Sequence, residues 1–518
     1  MLLSLLSKKL LSNKCIEPFL LVFAGVIGVF AFAPYNLSAC IVISILILLW
    51  IINKSSSKAS KAAGYGFLYG FSYFSSQIYW MFYSLYVVIK AGFWISLAAL
   101  LGFSAFLAIY LVLTVYLYTR LKTRSTLFNY VFLFPALWVF FEWIRGWFLG
   151  GFSWCDVGYT VVNTIFFRGY FATIGEYGVS WLYISLIGAV CVVMRRFILF
   201  QLDRQQRGHY RISIVYIAMV ILIGYAAKSA QYTKPYGSLS SVALLQGNIG
   251  VDGKWNGQDG LQIYESMVKN TRADIVMLPE TGISQFEMNL PKNYLKNLEL
   301  SAKQNNASLI IGIPLIIDDD YNYINTAMLL TAPKHPYYAK YHLVPYGEYI
   351  PAKWLLGPLY KFIALPMVGF TPGAKNQEPL LSGNQKLAFN ICFENGFGSE
   401  LIYAAARSTI MVNLSDMVWY GTTVAMNQHL QLSQARALEN QRYFIQETNT
   451  SITAIINPQG QIQSQLPVFR RGVLKDTVQG MIGVTPYERF GNYPIILWCS
   501  LIIAYALAWR KRNLFFKI

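Results

Sequence analysis

The stretch "KLAFNICFENGFG", Lys386 to Gly398, decides the fold of the part of the chain that can do chemistry. An apolar run broken by one Asn stops at Cys392, and Phe-Glu-Asn-Gly follows. A short apolar run that ends in a turn of this kind reads as a strand. Cys392 is the only cysteine between Cys191 and Cys499. Two readings are open for it: a small buried hydrophobe, or a nucleophile on a sharp turn.

Similar short runs lie on either side. They are "SVALLQ" (241–246), "ADIVMLPE" (273–280), "SLIIGIPLI" (308–316), "NTAMLL" (325–330), "TIMVNLS" (409–415) and "SITAIIN" (451–457). Helical stretches separate several of them, at 260–270, 292–305 and 424–446, the last long and amphipathic. Strands alternating with helices predict an α/β or layered sandwich with a mostly buried sheet. Ligand sites in such folds gather at the carboxyl ends of strands. Glu280 closes one run and Cys392 another, and Lys340 follows a strand expected near 336–341. Each alone has a bland reading: a turn Glu after Pro, a solvated Lys, a packed Cys. Together they supply acyl transfer with a nucleophile (Cys), a general base (Glu) and a cation for the oxyanion (Lys). His342 and His429 are read as structural hydrogen-bonding residues.

The rest of the chain is of another kind. Of 518 residues, 55% are hydrophobic and 13% charged, against about 25% charged in soluble domains. Mean hydropathy is +0.41. Residues 15–228 and 491–509 are nearly all apolar runs, while 229–490 mix short runs with Gly, Pro, Asn and charges. The expected division is therefore a helical membrane domain over 1–228 with seven spans, an outer domain over 229–490, and a final span with a basic tail over 491–518. The eight spans are placed at 17–34, 37–53, 65–88, 91–118, 127–147, 175–194, 212–228 and 491–509. The first is not read as a cleaved signal peptide, nor Cys15 as a lipid-attachment site.

The formal charge of +18 suggests nucleic-acid binding only until the positions are read. Lys and Arg cluster at the ends of the apolar runs: Lys8, Lys9 and Lys14; Lys54, Lys58 and Lys61; Arg120, Lys122 and Arg124; Arg195 to Arg211; Arg510 to Arg512. With eight spans every cluster falls on the cytoplasmic side, and 229–490 on the opposite face. There is no Cys-x-x-Cys pair and no Cys/His spacing for zinc, so neither metal nor nucleic acid is expected. Glu142 and Arg145, at i and i+3 near the end of a span, are read as a mutually satisfied pair that fixes helix packing.

The order Glu280, Lys340, Cys392 resembles the nitrilase (carbon–nitrogen hydrolase) superfamily. The likeness is closer to its membrane-embedded branch, the apolipoprotein N-acyltransferases. It rests on "LLQGNI" (244–249), "KW" (254–255), "LPET" (278–281), "AKYHLVPYGEYIP" (339–351), "FTPG" (370–373), "ICFE" (391–394) and "QHLQLSQARALENQRYFIQETNTSITAIINPQG" (428–460). In the apolar part, "FAPYNL" (32–37), "ALWVFFEWIRG" (136–146), "GGFSWCDVGYT" (150–160) and "IGEYGVSW" (174–181) look similar too. The resemblance implies an α-β-β-α sandwich on an eight-span membrane domain, set in a bacterial inner membrane with the sandwich in the periplasm. It places Glu280, Lys340 and Cys392 on the catalytic triad. Glu348 falls on a second glutamate that holds the Lys, Glu394 on the acidic residue after the nucleophile, and Trp255 on a substrate-pocket tryptophan.

The implied reaction is a two-step transfer, by a monomer without cofactor. The sn-1 acyl chain of a phospholipid, phosphatidylethanolamine by the resemblance, moves through a thioester on Cys392 to the α-amino group of a diacylglyceryl-cysteine at an apolipoprotein N-terminus. The apolar segment "AKWLLGPLYKFIALPMVGF" (352–370), with Trp354 and Leu356, is read as a membrane-facing lid. Trp419 and Tyr420 are read as another wall of the entrance. Departures are Phe393 for the usual Tyr, Asp416-Met417 for the commoner Asn-Asp, and Ser451 for a Gly. Phe393 would still offer its backbone N–H to the oxyanion. The alternatives are an anchored amidase for a small soluble substrate, and a non-catalytic transporter or scaffold.

Overall fold

The computed structural model describes residues 16–54, 58–198, 204–250, 259–350 and 369–515. They form two compact units. One takes in Met1–Phe82, Gly92–Ala230 and Asn492–Ile518, and the other Tyr83–Ala91 and Gln231–Gly491.

The first unit is helical. Among the described residues four helices are long and apolar enough to cross a membrane by length and composition: Phe93–Leu121, Arg168–Arg195, Gly208–Ala227 and Tyr493–Arg512. The apolar helices Ile16–Ala31 and Ala39–Lys54 are shorter. The span expected at 65–88 is not continuous. Its helix runs Ala59–Gln77, breaks at Ile78, and short turns follow at Trp80–Tyr83 and Ser84–Val88. The helix Arg168–Ile198 is interrupted at Gly175, whose φ is 64°. Glu142 and Arg145 are not the mutual pair expected but bond separately within one buried cluster. Arg145 pairs with Asp156 and also donates from Nε to the Phe152 carbonyl at 3.1 Å. Glu142 accepts Trp138 Nε1 at 2.9 Å and Val157 N at 3.0 Å. The cluster fastens the loop after Gly150 to the helix Phe134–Arg145. Spacing along one helix could not reveal the loop partner.

The second unit has two six-stranded sheets. The first has the order β12-β1-β2-β3-β4-β5 and the second β11-β10-β9-β8-β7-β6. In the first sheet β1 is Thr233–Gln246, β2 Ile275–Met277, β3 Ser308–Ile316, β4 Tyr323–Leu329, β5 Tyr337–Ala339 and β12 Gly472–Gly483. In the second, β6 is Leu380–Ser382, β7 Gln385–Ile391, β8 Ile410–Ser415, β9 Phe444–Thr448, β10 Ala454–Ile456 and β11 Ile462–Gln465. Side chains alternate between faces with period two. Val242 and Leu244 of β1 enter the core between the sheets, with Leu387, Phe389 and Ile391 of β7 and Val412 and Leu414 of β8. Ala243 and Leu245 face outward to the helices α1 (Asp259–Lys269) and α2 (Tyr294–Gln304). Ala388 and Met411 face α3 (Gly398–Ala405) and α4 (Ala425–Asn440). Each sheet is therefore apolar on both faces, which is why its strands read as unbroken apolar runs. The layers are α-β-β-α.

Two expectations are corrected. The helix expected over 424–446 ends at Asn440, because Gln441 is left-handed (φ 44°), and Phe444–Thr448 becomes β9. That helix is not amphipathic in place: every residue but Asn427 is buried. A helix covered all round is a core helix. Its polar residues therefore need internal partners.

Candidate active site

β7 and β8 run parallel, with Asn390 opposite Asn413 and Ile391 opposite Leu414. At Cys392 the chain leaves the strand with φ 55°. The left-handed region costs a side-chain-bearing residue about 1–2 kcal/mol. The surroundings hold the turn in place. Glu394, buried two residues on, accepts the N–H of Ile391 at 2.6 Å. It also accepts the N–H groups of Tyr341 at 2.8 Å and His342 at 2.9 Å, and the Tyr338 hydroxyl at 3.0 Å. One carboxylate thus ties the cysteine turn to the segment that follows Lys340.

Lys340 is 1% exposed. It follows β5, its N–H donates to the Asn325 carbonyl at 2.8 Å, and its own carbonyl accepts Gly373 N–H at 2.8 Å. Its Nζ donates to Glu348 Oε1 at 2.9 Å and lies 3.5 Å from Glu280 Oε1. Burial works against its charge, but Glu348, Glu280 and Cys392 outweigh burial and raise its pKa above the usual Lys value. Lys340 is therefore a fixed ammonium. Glu348 is anchored in turn by Val344 N–H at 2.8 Å.

Glu280 sits three residues beyond β2, on a turn backed by Gly312. A Cβ at Gly312 would lie 2.1 Å from the Pro279 carbonyl oxygen, so β3 passes there without a side chain. Glu280 Oε1 accepts Asn325 Nδ2 at 2.8 Å and Oε2 accepts Asp416 N–H at 2.7 Å. The donor from Asp416 is a backbone group. The Asp416-Met417 departure therefore leaves this contact intact, while the Asp416 side chain accepts Asn449 Nδ2 at 3.3 Å. The Cys392 thiol is pushed well above its ordinary pKa by burial first, then by the Glu280 and Glu348 charges and its hydrogen bond to Glu280, against Lys340. It rests as a thiol beside a carboxylate. Attack requires the proton to leave as the new bond forms.

Glu280, Lys340, Cys392 and Glu348 thus come together, and Glu394 supports the turn from below. The Phe393 ring packs edge-on to Phe397 at 5.0 Å and to His342 at 6.0 Å, and His342 stacks on Phe397 at 3.7 Å. Burial, then the Cys392 charge, raise the pKa of the half-buried Tyr420 phenol. For Trp419 the structure gives a backbone role: its carbonyl accepts Ser84 Oγ at 2.6 Å. Trp255, Trp354, Leu356 and the expected lid up to residue 368 lie outside the described residues.

The sequence reading missed Asn325, Asn390 and Asn413, and it named His429 without a contact. Their signal was present. Asn inside apolar runs such as "YINTAML" (323–329) must be buried, and a buried amide needs partners. Here Asn413 Nδ2 donates to Asn390 Oδ1 at 2.6 Å and to the Cys392 carbonyl at 3.1 Å. His429 Nε2 lies 3.1 Å from the same carbonyl, and Gln446 Oε1 lies 3.2 Å from Nδ1. Both neighbours are acceptor oxygens and a neutral ring has one N–H, so the ring donates to the Cys392 carbonyl in the tautomer that carries the hydrogen on Nε2. Burial, helped by the Lys340 charge, lowers the His429 pKa from 6.5 to about 4, against the pull of the Cys392 and Gln446 oxygens. A depressed histidine pKa gives stability that is full above 6.5 and is lost as pH falls toward 4, because only the unfolded chain takes up the proton. Up to about 3 kcal/mol is expected to go over that window. His429→Gln should flatten the fall in thermal unfolding temperature between pH 7 and 4. An unchanged slope would show that His429 is not the titrating group.

Comparison with known proteins matches residues 24–190 to the apolipoprotein N-acyltransferase N-terminal domain and residues 241–487 to carbon-nitrogen hydrolase. The chain is 37% identical to an apolipoprotein N-acyltransferase of Chromobacterium violaceum over 95% of this chain and 93% of that protein. It is 36% identical to one of Neisseria meningitidis serogroup B over 92% of each. A solved carbon-nitrogen hydrolase of Helicobacter pylori G27 matches 50% of this chain and 92% of its own at 14% identity, with a TM-score of 0.36.

Proposed function

The chain belongs to the apolipoprotein N-acyltransferase family, and from that premise we propose that it acylates lipoprotein N-termini through a thioester on Cys392. The observation that carries the chemistry is the thiol on a strained turn, hydrogen-bonded to Glu280, with the buried Lys340 ammonium between Glu280 and Glu348.

In the first step Glu280 takes the thiol proton as sulfur attacks the sn-1 ester carbonyl of a phospholipid. The Lys340 ammonium and the Phe393 N–H stabilise the oxyanion. The ester C–O bond breaks, and Glu280 returns the proton to the departing lysophospholipid oxygen. In the second step the α-amino group of a diacylglyceryl-cysteine attacks the thioester. Glu280 takes the amine proton, the C–S bond breaks, and the thiol is restored. The two steps share one site and alternate as ping-pong.

Glu348 and Glu394 support the site. In this reading Trp255 belongs to the substrate pocket, Trp354 and Leu356 to a membrane-facing lid, and Trp419 and Tyr420 to a wall of the entrance. The donor is phosphatidylethanolamine and the enzyme works as a monomer. Residues 1–228 and 491–518 make eight spans of a bacterial inner membrane, with 229–490 in the periplasm. The basic clusters at the span ends support that orientation.

The test is the intact mass of the purified protein after incubation with phosphatidylethanolamine vesicles. The wild type is expected to gain one acyl chain, placed on Cys392 by peptide mapping, and Cys392→Ala to gain none. A wild type that gains no mass yet hydrolyses small amides would favour the anchored amidase. An acylated Cys392→Ala would end the thioester reading.

A further inference from the structure

The Cys392 carbonyl is the acceptor for two buried side chains from different elements. His429 Nε2 reaches it from α4 at 3.1 Å, and Asn413 Nδ2 from β8 at 3.1 Å. His429 is 1% exposed and Asn413 is fully buried. Asn413 is itself held. Asn413 Nδ2 also bonds Asn390 Oδ1 on the neighbouring strand at 2.6 Å, and its Oδ1 accepts Ser415 Oγ at 2.6 Å. Gln446 Oε1, which accepts Ser433 Oγ at 2.7 Å, abuts the far edge of the His429 ring.

The carbonyl belongs to the peptide that joins Cys392 to Phe393. In a trans peptide the C=O and the N–H lie in one plane and point opposite ways. Fixing the oxygen toward His429 and Asn413 therefore aims the Phe393 N–H to the opposite side. It also resists relaxation of Cys392 out of its left-handed conformation (φ 55°). Bonds accepted by a carbonyl polarise its peptide and strengthen the N–H as a donor.

We propose that His429 and Asn413 are positioning residues that clamp the Cys392–Phe393 peptide, so that the Phe393 N–H is aimed and strengthened for the oxyanion. This rests on the reading of Cys392 as the nucleophile. Neither residue touches substrate. Both act through the peptide, and because each half-reaction passes through an oxyanion, both halves depend on the clamp.

The experiment compares four proteins in detergent: wild type, His429→Leu, Asn413→Leu and His429→Gln. Four quantities are read: the phospholipid KM, the kcat for transfer, the single-turnover rate of thioester formation, and the rate of Cys392 alkylation by iodoacetamide. Alkylation displaces iodide at a saturated carbon and forms no oxyanion, so it reports the thiol alone. Each leucine variant is expected to lose about tenfold or more in kcat and in thioester formation, with KM and alkylation within about threefold of wild type. His429→Gln keeps an amide donor and should recover most of the rate. The clamp is overturned if a folded leucine variant keeps wild-type kcat, or if alkylation falls as far as kcat. Should the leucine variants not fold, His429→Gln against His429→Ala decides, equal rates overturning the clamp. A wild type that forms no thioester would instead refute the nucleophile itself.

Discussion

Lys340→Met is expected to lower the acyl-transfer rate about a thousandfold and to destabilise the second unit by about 3–5 kcal/mol. The two effects have one cause. Lys340 is buried between Glu348 and Glu280, at 2.9 and 3.5 Å. Methionine keeps the length and the apolar stem but removes the charge. In turnover, the developing oxyanion loses its ammonium, and the Phe393 N–H is left to hold it alone. In the resting protein, two carboxylates then face each other without the cation between them, and uncompensated buried charge is the costly case. The sign of the pH effect follows. Protonating one carboxylate relieves the repulsion, so Lys340→Met should recover stability as pH is lowered from 8 to 5. Glu280→Gln in the same background should recover stability without restoring turnover. Thermal unfolding and single-turnover thioester formation separate the two effects. Wild-type turnover in a folded Lys340→Met would remove this residue from the chemistry.

How far the sequence reached can be judged around the same residues. The strand ending in Cys392 was legible because both its faces are buried, which leaves "LAFNI" as a run without charge. Glu280 and Lys340 were legible as strand-end residues in a layered fold and through the motifs around them. What supports them was not. The bond from His429 to the Cys392 carbonyl joins residues 37 positions apart, and the Asn413–Asn390 bond depends on the β7–β8 register. Neither follows from periodicity. The end of the long helix was misplaced for a local reason. Gln441 has no sequence mark of a left-handed cap such as Gly, and "YFIQET" continues without a break. Asp156 escaped as the partner of Arg145 because it lies in a loop eleven residues on.

The last glycine of "FENGFG" raises a sharper expectation, since Gly398 starts α3 directly after the cysteine turn. A Cβ there would lie 1.6 Å from Arg436 Nη1 and 2.7 Å from its Cζ. Arg436 is fully buried, in an ion pair with Glu439 at 3.2 Å. A guanidinium at the surface could swing aside at little cost. This one is enclosed by packed side chains, where moving it by more than an ångström means breaking the pair or displacing α3. Gly398→Ala, the smallest substitution available, is therefore expected to cost about 3–5 kcal/mol, as for a broken buried pair. α3 joins the turn that carries Cys392, Phe393 and Glu394, so thioester formation should fall as well. Shrinking the obstacle tests the cause. Arg436→Met combined with Glu439→Gln removes both charges and shortens the side chain, and in that background Gly398→Ala should cost less than about 1 kcal/mol. An undiminished cost would locate the requirement for glycine in the backbone of α3 and not in the Arg436 guanidinium.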